Sequence, residues 1–265
     1  MGYGGYGSGA GGSGRPRRRT QPSQRTVIIV AIGVALFVVL LATDRINRFE
    51  IIYFCMLVPS IILHEISHGV VALAFGDDTA KKAGRLTLNP VKHIDPVGTI
   101  LVPAVLSLSG LGAYGWAKPV PVSTNRLRSP RNHTVIVSLV GPLTNFILAA
   151  ILGVILVLIT PHLVLQEINF YWSTGGGAYP PTLLGQILFI GGIANLVLGL
   201  FNLIPCPPLD GAAVLERFIP ARMLPEYYRI QPLLMFLPFV LILLFRNEWA
   251  QLIDHVITWW SGLLV

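Results

Sequence analysis

Charge is scarce in this chain. Only 12% of its 265 residues are Asp, Glu, Lys or Arg, against about 25% in soluble domains, while 53% are hydrophobic and the mean hydropathy is +0.68. That shortage excludes an ordinary water-soluble domain and indicates a polytopic membrane protein. Cysteine is scarce too. Cys55 and Cys206 both lie in apolar context, which leaves no disulfide framework and no Cys-x-x-Cys metal site. Cys206 stands near Asp210 in sequence but is read as a small packing residue. No polar stretch is long enough for a separate soluble domain, and no internal repeat is evident. The net charge of +7 would suggest nucleic acid in a soluble chain. Here the Lys and Arg residues sit in short loops and an N-terminal tail, where they set topology, so no nucleic-acid partner is expected.

What is present divides into a tail and a membrane body. Residues 1–25 are Gly, Tyr, Ser, Pro and Arg, a composition that cannot bury a core, and they are expected to form a disordered basic tail. Residues 26–265 are expected to form one membrane domain. Its apolar runs fall at 27–43, 51–76, 97–113, 134–160, 182–204, 232–245 and 249–265. The first follows a basic cluster but has no small-x-small cleavage site, so it reads as an uncleaved anchor. The third holds Pro103, Gly110 and Gly112 and is short. It lies between two basic loops, one with Lys81, Lys82, Arg85 and Lys92, the other with Lys118, Arg126, Arg128 and Arg131. A full crossing would put one of those loops outside, against the positive-inside rule, so the run is expected to re-enter. The loop at 161–181 contains no Lys or Arg and falls outside. The expected fold is all-α, with about six transmembrane helices and a re-entrant or membrane-associated β/loop segment between the second and third, the N-terminus being cytoplasmic.

The second run carries His64-Glu65-x-x-His68. Residues four apart on a helix lie one above the other, so the two imidazoles share a face, and Glu65, rotated by about 100°, can flank a metal held between them. Histidines within hydrocarbon are costly unless they bind something or face a wet cavity. A catalytic zinc site needs a third protein ligand. The metzincin continuation does not supply it, because Val71 and Ala74 stand where its Gly and third His would be. Asp210 is the favoured donor, at the end of a later run where prolines free the backbone from helix, and Asp95 is the competitor in a Pro-flanked turn. His93 reads as a loop side chain. His133, His162 and His255 lie at run ends, where interfacial histidines need no site.

The chain resembles the site-2 protease family of intramembrane zinc metalloproteases. The resemblance rests on His64-Glu65-x-x-His68 in a span and on Asn202-x-x-Pro205-x-x-Pro208-Leu209-Asp210-Gly211 near the end of a later one. Asn89-Pro90, Asp95-Pro96-x-Gly98-Thr99, Gly115-Trp116-Ala117-Lys118-Pro119-Val120-Pro121-Val122 and Gly141-Pro142-x-x-Asn145 fall between them, so the motif-bearing core runs over 51–220. It implies one Zn2+ held by His64, His68 and Asp210, with Glu65 as the catalytic carboxylate, in the compact bacterial branch without PDZ or CBS domains. Such a site would acidify a water, and Glu65 would carry its proton to the leaving amine. Asn145 and Asn202, amides within apolar runs, are candidates to bind substrate backbone or to orient ligands; interhelical hydrogen bonding is the alternative for both. The implied partners are the bilayer and a transmembrane protein substrate of the membrane-tethered regulator class, and the implied location is a bacterial cytoplasmic membrane. Two other readings use the same ligands: a metal-ion transporter, which would be expected to show paired repeats, and a metal-binding scaffold without turnover.

Overall fold

The computed structural model describes residues 35, 48–95 and 118–265. The basic tail, the anchor expected at 27–43 (apart from Ala35) and the re-entrant segment expected at 97–113 lie outside the described residues.

Backbone within lipid must satisfy its own hydrogen bonds, so long apolar runs fold as helices. The described residues contain no strand. They form α1 (Arg48–Ala74), α2 (Thr79–Lys82), α3 (Pro130–Ile159), α4 (His162–Ser173), α5 (Leu183–Asn202), α6 (Gly211–Phe218), α7 (Leu224–Leu234), α8 (Leu237–Leu244) and α9 (Arg246–Leu263), with 3-10 turns at Pro90–Lys92, Thr124–Arg126 and Ala221–Met223. Three of these, α1, α3 and α5, are long and apolar enough to cross a membrane. The most apolar part of α5 is 61% buried, against 22% for α1 and 28% for α3. Thus α5 is the inner helix, and α1 and α3 pack on it while presenting much of their own surface outward.

Where α5 meets its neighbours it is nearly all apolar or small. Phe189, Ile190, Ile193 and Leu196 join Ile52 of α1, Ala149 and Leu156 of α3, Leu165 and Ile168 of α4, and Trp260 of α9 in one cluster. Lipid tails compete for apolar surface, so helices in a membrane gain contact by close approach at small residues. Gly192 is one such place, since a Cβ there would come within 2.3 Å of the Trp260 ring.

The C-terminal region departs from the simplest reading of its hydropathy. The run at 232–245 is divided between α7 and α8, with Pro232 and Pro238 near the break. An eight-residue helix such as α8 rises about 12 Å, far less than the roughly 30 Å of a hydrocarbon core. The uncharged-by-Lys/Arg loop at 161–181 holds α4, which turns Leu165 and Ile168 into the core. The first is a local effect, proline interrupting an apolar run, and the second is tertiary, packing against α9 recruiting a short amphipathic stretch into helix.

After α1 the chain builds a polar platform. Arg85, 8% exposed, sends its guanidinium to the Lys92, Lys118 and Pro119 carbonyls. Asp77, fully enclosed, accepts from the Thr79 hydroxyl and amide and from the Ser123 amide (2.6 Å). Residues 118–123 are thereby clamped at both ends beside α1, without regular secondary structure.

Candidate metal centre

The 3.6-residue period sets one half of the site. His64 and His68 lie one turn apart on α1, both buried, with ring centroids 4.7 Å apart and planes at 85°. Each ring is fixed through Nδ1. His64 Nδ1 lies 2.6 Å from Asn145 Oδ1, and His68 Nδ1 lies 2.6 Å from the Val137 carbonyl, both acceptors borne by α3. A ring nitrogen facing an acceptor carries the proton, so in each neutral imidazole Nε2 holds a free lone pair. Gly141 makes this approach possible: a Cβ there would stand 2.5 Å from the His68 ring and 2.6 Å from His64. Pro142 follows it and, having no backbone N–H, offers no i+4 donor to the Ser138 carbonyl next to Val137.

The other half comes from the far end of α5. Beyond Asn202 the chain runs through Pro205, Pro207 and Pro208, with a cis peptide between the last two, to Asp210 at the start of α6. An Asp in that position commonly caps the helix with its side chain; this one makes no such bond. Its Oδ2 lies 3.0 Å from His64 Nε2 and 3.3 Å from His68 Nε2. Gly211 allows the chain to fold back there, since a Cβ on it would meet the Leu203 carbonyl oxygen at 2.3 Å.

Two lone-pair nitrogens therefore converge on a carboxylate oxygen that is buried and receives no hydrogen bond. Three acceptors facing one another repel unless a proton or a cation lies among them. Ligands at about 2.0–2.1 Å in a tetrahedron stand about 3.3 Å apart, close to the spacings between Asp210 and the two imidazoles. The donor set of two imidazoles and one carboxylate fits a divalent metal of the zinc type. Among the described residues these three are the one His/Cys/Asp/Glu group whose ligand atoms all lie within 4.8 Å of one another; Asp95 is not in it.

Glu65 points elsewhere on the same turn. Its Oε2 accepts from the Val120 amide at 2.7 Å, so the clamped segment 118–123 fixes the direction of the carboxylate. Asn145 is fully buried and bonds across helices to His64 of α1 and Asn195 of α5. Asn202 does not reach the cluster through its hydrogen bonding, for its Nδ2 donates to the Leu198 carbonyl of its own helix (2.9 Å). His93 is buried in the platform and donates from Nε2 to the Thr87 carbonyl (2.8 Å). His133 stacks on Phe75 at 4.0 Å, while His162 and His255 bond backbone carbonyls. Cys206 is buried and uninvolved, with Sγ towards the Leu234 carbonyl. Sequence reasoning passed over Asn195, which receives a bond from Asn145 Nδ2 (3.0 Å) and is buried in the middle of α5. The signal was available, because an amide deep in an apolar run needs partners. The Val120 amide and the Arg85 and Asp77 clamps had no sequence signal, since they depend on how the loops fold back.

The sequence profile of Peptidase family M50 matches residues 52–245. Over 164 residues the chain is 46% identical to YwhC of Bacillus subtilis, which carries a provisional zinc metalloprotease name; the match covers 62% of this chain and 67% of that one. Over 210 residues it is 32% identical to Rip2 of Mycolicibacterium smegmatis, named in the same provisional way, covering 76% and 73%. It is also 23% identical to the zinc metalloprotease MJ0392 of Methanocaldococcus jannaschii over 70% of this chain and 40% of the other. No solved structure matches the chain.

Proposed function

The chain belongs to peptidase family M50 and is a zinc metalloprotease, and from that premise we propose that it is an intramembrane endopeptidase cutting transmembrane segments of membrane-anchored proteins. His64, His68 and Asp210 hold the zinc, and Glu65 is the catalytic carboxylate. Zinc bound there supplies a Lewis acid, polarising the scissile carbonyl and acidifying a water. Glu65 takes a proton from the attacking water on its carboxylate and hands it to the departing amine. Asn145 holds His64 in the tautomer whose Nε2 can bind metal. Residues 118–123, clamped by Arg85 and Asp77, pair by strand addition with a substrate helix that has been locally unwound, a role their fixed, non-helical backbone supports.

The architecture we assign has at least four spans, α1, α3, α5 and the run at 27–43, with 97–113 re-entering as a β/loop segment. The crossings expected at 232–245 and 249–265 would make six, but the first would need α7 and α8 together, since α8 alone is too short. One domain covers 26–265, behind a disordered basic tail at 1–25. The basic loops around Arg85 and Arg126 lie on the cytoplasmic side with the N-terminus, in a bacterial cytoplasmic membrane. The substrates are single-span proteins, with membrane-tethered regulators as the favoured class.

The observation that carries this reading is the orphaned Asp210 carboxylate oxygen facing two lone-pair imidazole nitrogens, with Glu65 on the same turn of α1. Reconstitution in liposomes with a panel of truncated single-span substrates tests it. Wild type should cut at least one within the membrane, and Glu65→Gln should keep one zinc per chain and cut none. Metal flux that survives in Glu65→Gln, with no cleavage by wild type, would instead support a transporter.

A further inference from the structure

We propose that Asn195, with Ser60 behind it, is a positioning residue that sets the tautomer of His64 through Asn145. One hydrogen-bond chain of fixed polarity runs across α1, α5 and α3. A backbone carbonyl can only accept, and two of them anchor the chain. The Ser60 hydroxyl donates to the Met56 carbonyl (2.7 Å), leaving its oxygen to accept. Asn195 Nδ2 donates to that oxygen (2.9 Å) and to the Gly191 carbonyl (2.9 Å), which uses both of its N–H groups. Its Oδ1 therefore faces Asn145 and must accept, which it does from Asn145 Nδ2 (3.0 Å). That bond fixes Asn145 with its own oxygen towards His64, and the His64 Nδ1–H donates to it (2.6 Å).

Were Asn145 rotated by half a turn, its amide N–H would face Nδ1. The imidazole would then accept at Nδ1, carry its proton on Nε2 and present an N–H to Asp210, where a metal ligand needs a lone pair. Without Asn195 nothing in this chain selects the productive orientation. Ser60, Asn145 and Asn195 are all at least 97% buried, at 3%, 0% and 1% exposure, so water does not take over the selection. His68 needs no such relay, because the Val137 carbonyl it faces cannot be rotated.

The inference rests on the assignment of His64 as a metal ligand, and its test reads metal binding separately from cleavage. Purified protein in detergent is stripped of metal, and zinc affinity is measured by competition with a chromophoric chelator. Asn195→Leu should weaken zinc binding about tenfold, within the range typical of outer partners of a ligand. In an Asn145→Ala background the same substitution should change affinity less than about twofold, because the residue it acts through is gone. Equal losses in both backgrounds, or none in either, would overturn the proposal and leave Asn195 as helix-to-helix glue. Should Asn195→Leu not fold, Asn195→Ala and Asn195→Asp decide: loss of affinity with Ala and its recovery with Asp, which keeps an acceptor towards Asn145, supports the relay, and wild-type affinity in Asn195→Ala overturns it. Wild type that binds zinc with these dependences yet cuts no peptide would sink the peptidase reading and leave the relay standing.

Discussion

The two halves of the metal centre are held by different means. Three of its groups leave a single turn of α1, and each is braced from outside: His64 by Asn145, His68 by the Val137 carbonyl and Glu65 by the Val120 amide. Asp210 arrives at the end of an irregular, proline-rich stretch, and its Oδ2 has no hydrogen-bond donor. Positions on a helix are set by local geometry and then locked by side-chain packing. A carboxylate without hydrogen-bond support is held by what it coordinates. The helical half is thus fixed by protein hydrogen bonds, whereas Asp210 Oδ2 has no protein donor, so the carboxylate half is expected to depend more on bound metal.

The largest effect should come from separating chemistry from assembly. Glu65→Gln keeps the shape of the side chain and its acceptor oxygen for the Val120 amide, but cannot take a proton. Cleavage of a reconstituted single-span substrate should fall by about 10²–10⁴-fold, with zinc content unchanged. Concurrent zinc loss would show that the helical half is less independent than its bracing suggests.

Next is the contrast between ligand and brace. Asp210→Ala removes one of the three proposed ligands and should lower zinc affinity by more than the roughly 10–100-fold expected for Asn145→Leu, which removes only a brace. Chelator titration ranks them, and the reverse order would make Asp210 the dispensable member. Metal removal itself distinguishes the halves. Stripping zinc from wild type should raise amide hydrogen exchange at residues 203–211 while leaving residues 60–70 of α1 protected. Equal loosening of both stretches would break the comparison.

How far these halves could be read from sequence follows the same division. His64, Glu65 and His68 are legible because the i, i+4 rule is local, and Asp210 because prolines and a following glycine mark a place where helix must stop near an acid. Resemblance to a known motif set named the same residues, and the choice over Asp95 agrees with the geometry. The three long helices were legible from hydropathy, within a few residues at their ends. Asn145 and Asn202 look alike in sequence, yet one reaches His64 and the other turns back on its own helix, because only the rotation of each helix about its axis decides where an amide points. Asn195 was missed for the same reason. The clamps on residues 118–123 were illegible, as they join residues 33 to 55 positions apart through folded loops.

The smallest effect concerns the platform that supports Glu65, and it should appear as a pH dependence. Burial pushes the Asp77 carboxyl up, but the Thr79 hydroxyl, the Ser123 and Thr79 amides and the Arg126 charge together draw it below the ordinary carboxylate value. A carboxyl lowered in the folded state contributes stability that is fully present above its unfolded value of about 4 and is lost as pH falls through the folded value. At neutral pH the clamp on Ser123 is intact. Acidification below about pH 4 should therefore release residues 118–123 first, detected as faster proteolytic nicking there than in α3 or α5. Asp77→Asn keeps one acceptor oxygen but no charge, so its nicking should already be raised at neutral pH and should respond less to acid. Cleavage activity should fall only a few-fold in that variant, since Arg85 still holds the Lys118 and Pro119 carbonyls and the Val120 amide can still reach Glu65. A loss as large as that of Glu65→Gln would mean that the brace on the catalytic carboxylate depends on the Asp77 end of the segment rather than the Arg85 end.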